Sequence, residues 1–143
     1  MLIVLGADHG GYELKEKVKT WLSKQNYNVV DTGAFALDKN DDFSKYVLLM
    51  RKCFDENSDA KIISFCSSGV GMSIGLNKHK GIKCLVAHTL DEVQIACQHN
   101  GINALSIAGK NTSFVKAKKM VSCFLSEKSL KGKYLKRMQD IEL

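Results

Sequence analysis

Short runs of Val, Ile and Leu alternate along this chain with longer stretches whose apolar residues recur every three or four positions. Five runs read as strands: LIVLG at 2–6, NVVDTG at 28–33, KIISFC at 61–66, IKCLVA at 82–87 and ALSIAG at 104–109. Each ends near Gly, Asp, Ser or His, residues that favour turns over extended chain. Most are apolar on both faces, as expected of parallel strands covered by helices on each side.

The intervening stretches carry helical spacing. In YELKEKVKTWLSK, residues 12–24, Leu14, Val18, Trp21 and Leu22 fall on one stripe, which places the lysines and Glu16 opposite, toward water. Phe43, Tyr46, Val47, Met50 and Phe54 repeat the pattern. Thr89 to Glu92, TLDE, is a capping box that opens a helix toward Cys97. Phe114, Ala117, Val121 and Phe124 mark another helix, and Tyr134, Met138 and Ile141 a last one. A regular β–α alternation predicts an open, mostly parallel sheet with right-handed crossovers. Ligands of such sheets bind outside the carboxyl ends of the strands, where strand order switches.

Composition narrows the class. At 143 residues, 45% hydrophobic and 25% charged, the chain reads as one globular domain, residues 1–143, able to bury a core without staples. No stretch approaches the roughly 18 apolar residues of a membrane span. The start, MLIVLGADHGG, lacks a basic leader and reads as a strand, which points to the cytoplasm. Five scattered cysteines without a C-x-x-C argue against both a disulfide framework and a zinc site. The net charge of +6 invites a nucleic-acid reading, but 19 of the 21 basic residues are lysines spread over most of the helices, so no nucleic-acid partner is expected.

The residues after each strand hold the candidate chemistry. They are Asp8, His9, Gly10 and Gly11; then Asp31, Thr32 and Gly33; then Cys66, Ser67, Ser68, Gly69 and Gly71; then His88; and, near the fifth strand, His99, Asn100, Gly109 and Lys110. In CSSGVGMSIGLNK the small residues let a loop wrap closely around a ligand, and a helix from about Val70 aims its free N–H groups at that loop. An oxyanion or phosphate would fit there, and the same partial positive charge favours the thiolate form of Cys66. His9 and His99 are read as turn residues on this rim, each either structural or an acid–base group. Neither G-x-G-x-x-G nor G-x-x-x-x-G-K-[ST] is present.

The segments ADHGGYELKEKV, CSSGVGMSIGLNKHKGIK, QHNGINALSIAG and KGKYLKR together resemble the ribose-5-phosphate isomerase B family, which includes galactose-6-phosphate isomerases. The resemblance runs from the first strand to the last helix. It implies a Rossmann-like, three-layer α/β/α fold with a five-stranded, mostly parallel sheet and a C-terminal helix. It also implies interconversion of aldose and ketose phosphates without a metal or organic cofactor, in a homodimer whose active sites lie between subunits; pairing of dimers into tetramers stays open.

By the same resemblance Cys66 is the base that moves a proton between C1 and C2, Ser68 assists at the oxygens and His99 opens the ring. Gly69 and Gly71 belong to the enediolate-stabilising loop, with Ser67 beside them. Asp8, His9 and Asn100 contact the sugar, while Lys110, Lys133 and Arg137 bind its phosphate.

The chain departs from that family where its C-terminal pattern Gly-Gly-Arg-His-x-x-Arg becomes KGKYLKR, so that Lys133 and Tyr134 replace Arg and His. Lys110 stands where Arg is common, and Ser44 where proline is common. Lysine binds phosphate as a point charge without the bidentate fork of arginine. The expected reaction is ribose 5-phosphate to ribulose 5-phosphate through an enediolate. The alternatives are isomerisation of galactose or allose 6-phosphate, and a non-catalytic sugar-phosphate sensor.

Overall fold

The computed structural model describes residues 1–142. Five strands and six helices follow one another as β1 (Leu2–Ala7), α1 (Tyr12–Lys24), β2 (Asn28–Asp31), α2 (Phe43–Glu56), β3 (Lys61–Cys66), α3 (Val70–Asn77), β4 (Cys84–Ala87), α4 (Leu90–Asn100), β5 (Ala104–Ala108), α5 (Phe114–Ser126) and α6 (Lys133–Asp140). Every predicted element is present, and α6 closes the described chain. The sheet has the order β2-β1-β3-β5-β4, and every pairing is parallel.

Two apolar cores sandwich this sheet, giving the three-layer α/β/α fold that was expected. On one face Leu14, Val18 and Leu22 of α1, Val93 and Cys97 of α4, and Met120, Val121 and Phe124 of α5 bury against Ile3, Leu5, Ile63, Phe65, Leu105 and Ile107. On the other face Tyr46, Val47, Met50 and Phe54 of α2, with Met72 and Leu76 of α3, pack against Val4, Ile62 and Ala104. Neighbouring strand residues point to opposite faces, so β1, β3 and β5 feed both cores at once. The edge strands β2 and β4 are less covered, so the reading of apolar character on both faces fits the three central strands only. Among the described residues no helix is long and apolar enough to cross a membrane.

Lys15 departs from its expected place on the wet side of α1. Its side chain is fully buried, and Nζ reaches back to Asp31 at the end of β2, 2.7 and 2.9 Å from the two carboxylate oxygens. Glu16 and Lys19 complete the cluster. The long apolar stem packs while the ammonium finds its partner at the sheet edge, which helical periodicity alone cannot foresee.

A candidate active site at the carboxyl ends of β1, β3 and β5

The three central strands end together, and backbone bonds stitch their ends. The Asp8 amide donates to Phe65 O, Gly109 to Cys66 O at 2.7 Å, and Lys110 to Ser67 O. A Cβ on Gly10 would lie 2.7 Å from the backbone nitrogen of Ser67, so only glycine lets these turns approach so closely.

Cys66 is the last residue of β3 and is almost wholly buried. Gly69, at φ +79°, turns the chain into α3, and its N–H donates to Cys66 Sγ at 3.1 Å. A donor so placed stabilises negative charge on the sulfur. Ser106, central in β5, donates its hydroxyl to Gly69 O at 2.6 Å and so fixes the orientation of that peptide. Ser68 is exposed at the mouth, where its Oγ accepts from the Val70 amide at 3.2 Å. The first-turn amides of α3 that follow have no acceptor within the helix, and Gly71 among them lies against the Phe43 ring. The result is a sulfur beside a cradle of N–H donors, as the loop sequence predicts. Ser106 was missed; a lone hydroxyl inside the apolar run ALSIAG was its signal.

The second part of the rim is an imidazole–carboxylate pair. His9 Nδ1 lies 2.7 Å from Asp41 Oδ1, which also accepts from the His9 amide at 2.9 Å. Tyr46 donates its hydroxyl to Asp41 Oδ2 at 2.9 Å. Burial pushes Asp41 up, but the amide and ring of His9 and the Tyr46 hydroxyl outweigh it and hold the carboxyl below its ordinary value. The Asp41 contact in turn raises His9. Burial raises Asp8, against the Gly10 amide that donates to its Oδ1. These three residues bring polar atoms within 4.8 Å of one another, the one grouping with metal-ligand types among the described residues. Nδ1 and Oδ1 already engage each other, so the group is a hydrogen-bonded dyad first. Asp41 was not singled out from sequence, since DKNDD reads only as a loop.

A cleft of about 600 Å³ opens in front of His9, lined also by Gly10, Glu13, Leu37, Gly109 and Lys110. Lys110 is thus on the Cys66 rim, as read. His88 follows Ala87 on the same carboxyl edge, two strands from Cys66, and its amide donates to Glu92 in the cap of α4. The capping box itself is complete.

His99 and Asn100 require a correction. They are not rim residues; they end α4, which runs back against the strands to the amino edge of the sheet. Pairing sets Ile62 beside Ala104 and Cys66 beside Ala108, so a strand length of about 13 Å separates that edge from Cys66. There His99 meets Tyr134, and Lys133 and Arg137 flank the same ring from α6. One chain therefore holds the expected site residues in two groups, Cys66, Ser67, Ser68, Gly69, Gly71, Asp8, His9 and Lys110 at one end, and His99, Asn100, Lys133 and Arg137 at the other.

Residues 3–141 match the sequence profile of the ribose/galactose isomerase family. The chain belongs to this family. Among relatives of the isomerase family, a probable ribose-5-phosphate isomerase B of Mycoplasma pneumoniae is 31% identical over 139 residues, covering 97% of this chain and 91% of its own. A ribose-5-phosphate isomerase B of Mycolicibacterium paratuberculosis is 29% identical over 141 residues, covering 99% and 89%. The crystal structure of the Thermotoga maritima ribose 5-phosphate isomerase superposes with a TM-score of 0.93 at 30% identity, over 99% of this chain and 97% of that one. The Mycoplasma genitalium ribose-5-phosphate isomerase B, solved with bound ribulose-5-phosphate, gives 0.93 at 29% identity over 98% and 93%.

Proposed function

We propose that this protein is a sugar-phosphate aldose–ketose isomerase that interconverts ribose 5-phosphate and ribulose 5-phosphate, with residues 1–143 forming one catalytic domain. The carrying observation is the Cys66 sulfur, 3.1 Å from the Gly69 amide, at the mouth of a loop of small residues. Family membership and the ribulose-5-phosphate bound by the M. genitalium relative support the same reading.

In the proposed reaction His99 opens the furanose ring. The Cys66 thiolate then removes the proton on C2. The C–H electrons form the C1=C2 bond, and the carbonyl pair moves onto O1. The N–H donors of the loop and first turn meet that charge, which is the largest lever available to such a site. Ser68 passes a proton to O1 and from O2, and Cys66 returns its proton to C1, leaving the ketone at C2. Asp8, His9, Ser67 and Asn100 hold the sugar, and Lys110, Lys133 and Arg137 the phosphate. No step in this scheme calls for a metal or organic cofactor.

The distance between the two groups of site residues supports a homodimer in which Cys66 of one subunit works with His99 of the other. Exposed Phe43, Leu48, Val70 and Ile74 on α2 and α3 offer apolar area that a second subunit would cover. The proposed setting is sugar-phosphate metabolism of the pentose phosphate pathway in the cytoplasm. One observation favours a second reading, a six-carbon 6-phosphate substrate: Lys110, Lys133 and Tyr134 stand where the family pattern has Arg or His, so Arg137 is the one bidentate partner left to the phosphate and its pose shifts.

The deciding experiment is ribulose 5-phosphate formation from ribose 5-phosphate by purified protein with no added metal, beside Cys66→Ala assayed for exchange of the C2 proton in heavy water. Turnover by the wild type and loss of exchange in a folded Cys66→Ala are expected. Wild-type exchange in Cys66→Ala would remove Cys66 as the base. Higher kcat/KM on galactose or allose 6-phosphate would move the substrate to six carbons.

A further inference from the structure

The His9 imidazole has no freedom in how it meets the cleft. Its Nδ1 and its own amide both point to Asp41 Oδ1, and the Tyr46 hydroxyl secures the other oxygen. An ionised carboxylate only accepts hydrogen bonds, so Nδ1 carries the proton and Nε2 is left for the cleft. The Asp41 side chain is 5% exposed and Tyr46 is buried, whereas the His9 side chain keeps 38%. The buried pair thus lies behind the imidazole, and the imidazole alone faces solvent. The three residues come from the turn after β1, the β2–α2 loop and the first turn of α2.

We infer that Asp41 is a positioning residue which, held by Tyr46, fixes His9 with Nε2 turned into the cleft toward the sugar of the substrate. The inference rests on the isomerase reading for the occupant of the cleft, and on geometry alone for the dyad. The charged groups around His9 are Asp8 next to it, Asp41 behind it, and Glu13, Lys39 and Lys110 on the cleft wall; Asp38 faces Tyr46. The Asp41 bond, with Asp8, raises His9 against the opposing effect of burial. His9 consequently stays cationic to a higher pH than an isolated histidine.

The test uses full-length wild type, Asp41→Asn and Tyr46→Phe. Two-bond 1H–15N spectra of the imidazoles across pH, without substrate, give the His9 tautomer and titration midpoint. Initial rates on ribose 5-phosphate give KM and kcat over the same range. The wild type is expected to show the Nδ1–H tautomer when neutral. Asp41→Asn should lower the His9 midpoint, mix the tautomers and raise KM about tenfold, the loss of one charge-assisted hydrogen bond, with kcat within about twofold. Tyr46→Phe should move the same readouts in the same direction by less, and it keeps the inference testable if Asp41→Asn folds poorly. An unchanged His9 tautomer and midpoint in the variants, or a loss confined to kcat, overturns the inference. If the spectra change as stated but the wild type turns over no sugar phosphate, the positioning role stands and the isomerase reading falls.

Discussion

The imidazole of His99 lies against the ring of Tyr134, with centroids 4.5 Å apart and planes 22° from parallel. Lys133 Nζ and the Arg137 guanidinium sit 5.3 and 5.8 Å from the centre of that ring. No residue of α6 is buried, so this stack and the Asn100–Met138 contact do much to hold α6 to α4. An aromatic face attracts cations, and it also restricts the swing of the imidazole stacked on it. Tyr134 thus supplies a ring that orients the proposed ring-opening group.

That role needs the ring and not the hydroxyl. Tyr134→Phe should keep kcat/KM on ribose 5-phosphate within about twofold, and Tyr134→Ala should lose about tenfold or more by freeing His99 from its pose. Steady-state rates check this, and equal losses in both variants would assign the effect to the hydroxyl.

The cradle depends on a backbone conformation. Gly69 sits at φ +79°, and a Cβ there would lie 3.3 Å from Ser106 Oγ. Gly69→Ala should cost about 1–2 kcal/mol in urea denaturation and reduce kcat further, because relief of the strain re-aims the amide at Cys66. Ser106→Ala leaves the Gly69 carbonyl with the Ser73 amide alone, 3.2 Å away, and should cost about 1 kcal/mol.

The Lys15–Asp31 pair is a stability element with a pH signature. Burial pushes Asp31 up, but Lys15, Lys19 and the Gly33 amide outweigh it and hold the carboxyl below its reference value of 3.8. A folded-state value below the unfolded one contributes stability at pH above the unfolded value, and that contribution is lost as pH falls through the folded value. Denaturation midpoints should therefore drop below about pH 4. Lys15→Met should destabilise by about 3 kcal/mol at neutral pH, since Asp31 keeps its burial and loses its nearest cation. Adding Asp31→Asn to Lys15→Met should recover most of that loss and flatten the acid limb. A Lys15→Met protein as stable as wild type would show that Lys19 suffices alone.

If Cys66 and His99 work across subunits, inactive variants should complement. Cys66→Ala and His99→Asn, unfolded together and refolded as a mixture, would place one intact site in each mixed dimer, restoring roughly a quarter of wild-type activity. Refolded separately, each should stay inactive. Failure of the mixture, with mixed dimers shown to form, would place the whole site within one chain.

Strands, helices and the Cys66 loop were legible in the sequence because each depends on neighbours a few positions apart. Period-two and helical spacing set the elements, and consecutive small residues after an apolar run set the cradle. The resemblance supplied roles that no local pattern contains, including those of Asn100 and Arg137. What stayed hidden were side chains whose partners lie far along the chain: Asp41 with His9 across 32 residues, Lys15 with Asp31 across 16, and Ser106 with Gly69 across 37. Strand order brings these pairs together, and strand order is an outcome of how whole helices cover both faces of the sheet. His99 was misplaced for a different reason: a residue that ends a helix just before a parallel strand lies at the amino edge of the sheet, so the β–α alternation itself sets it opposite Cys66. The sequence by itself thus determined the elements and the reactive loop, through short-range spacing. The tertiary structure decided which groups touch, because those distances depend on the packing of the entire sheet.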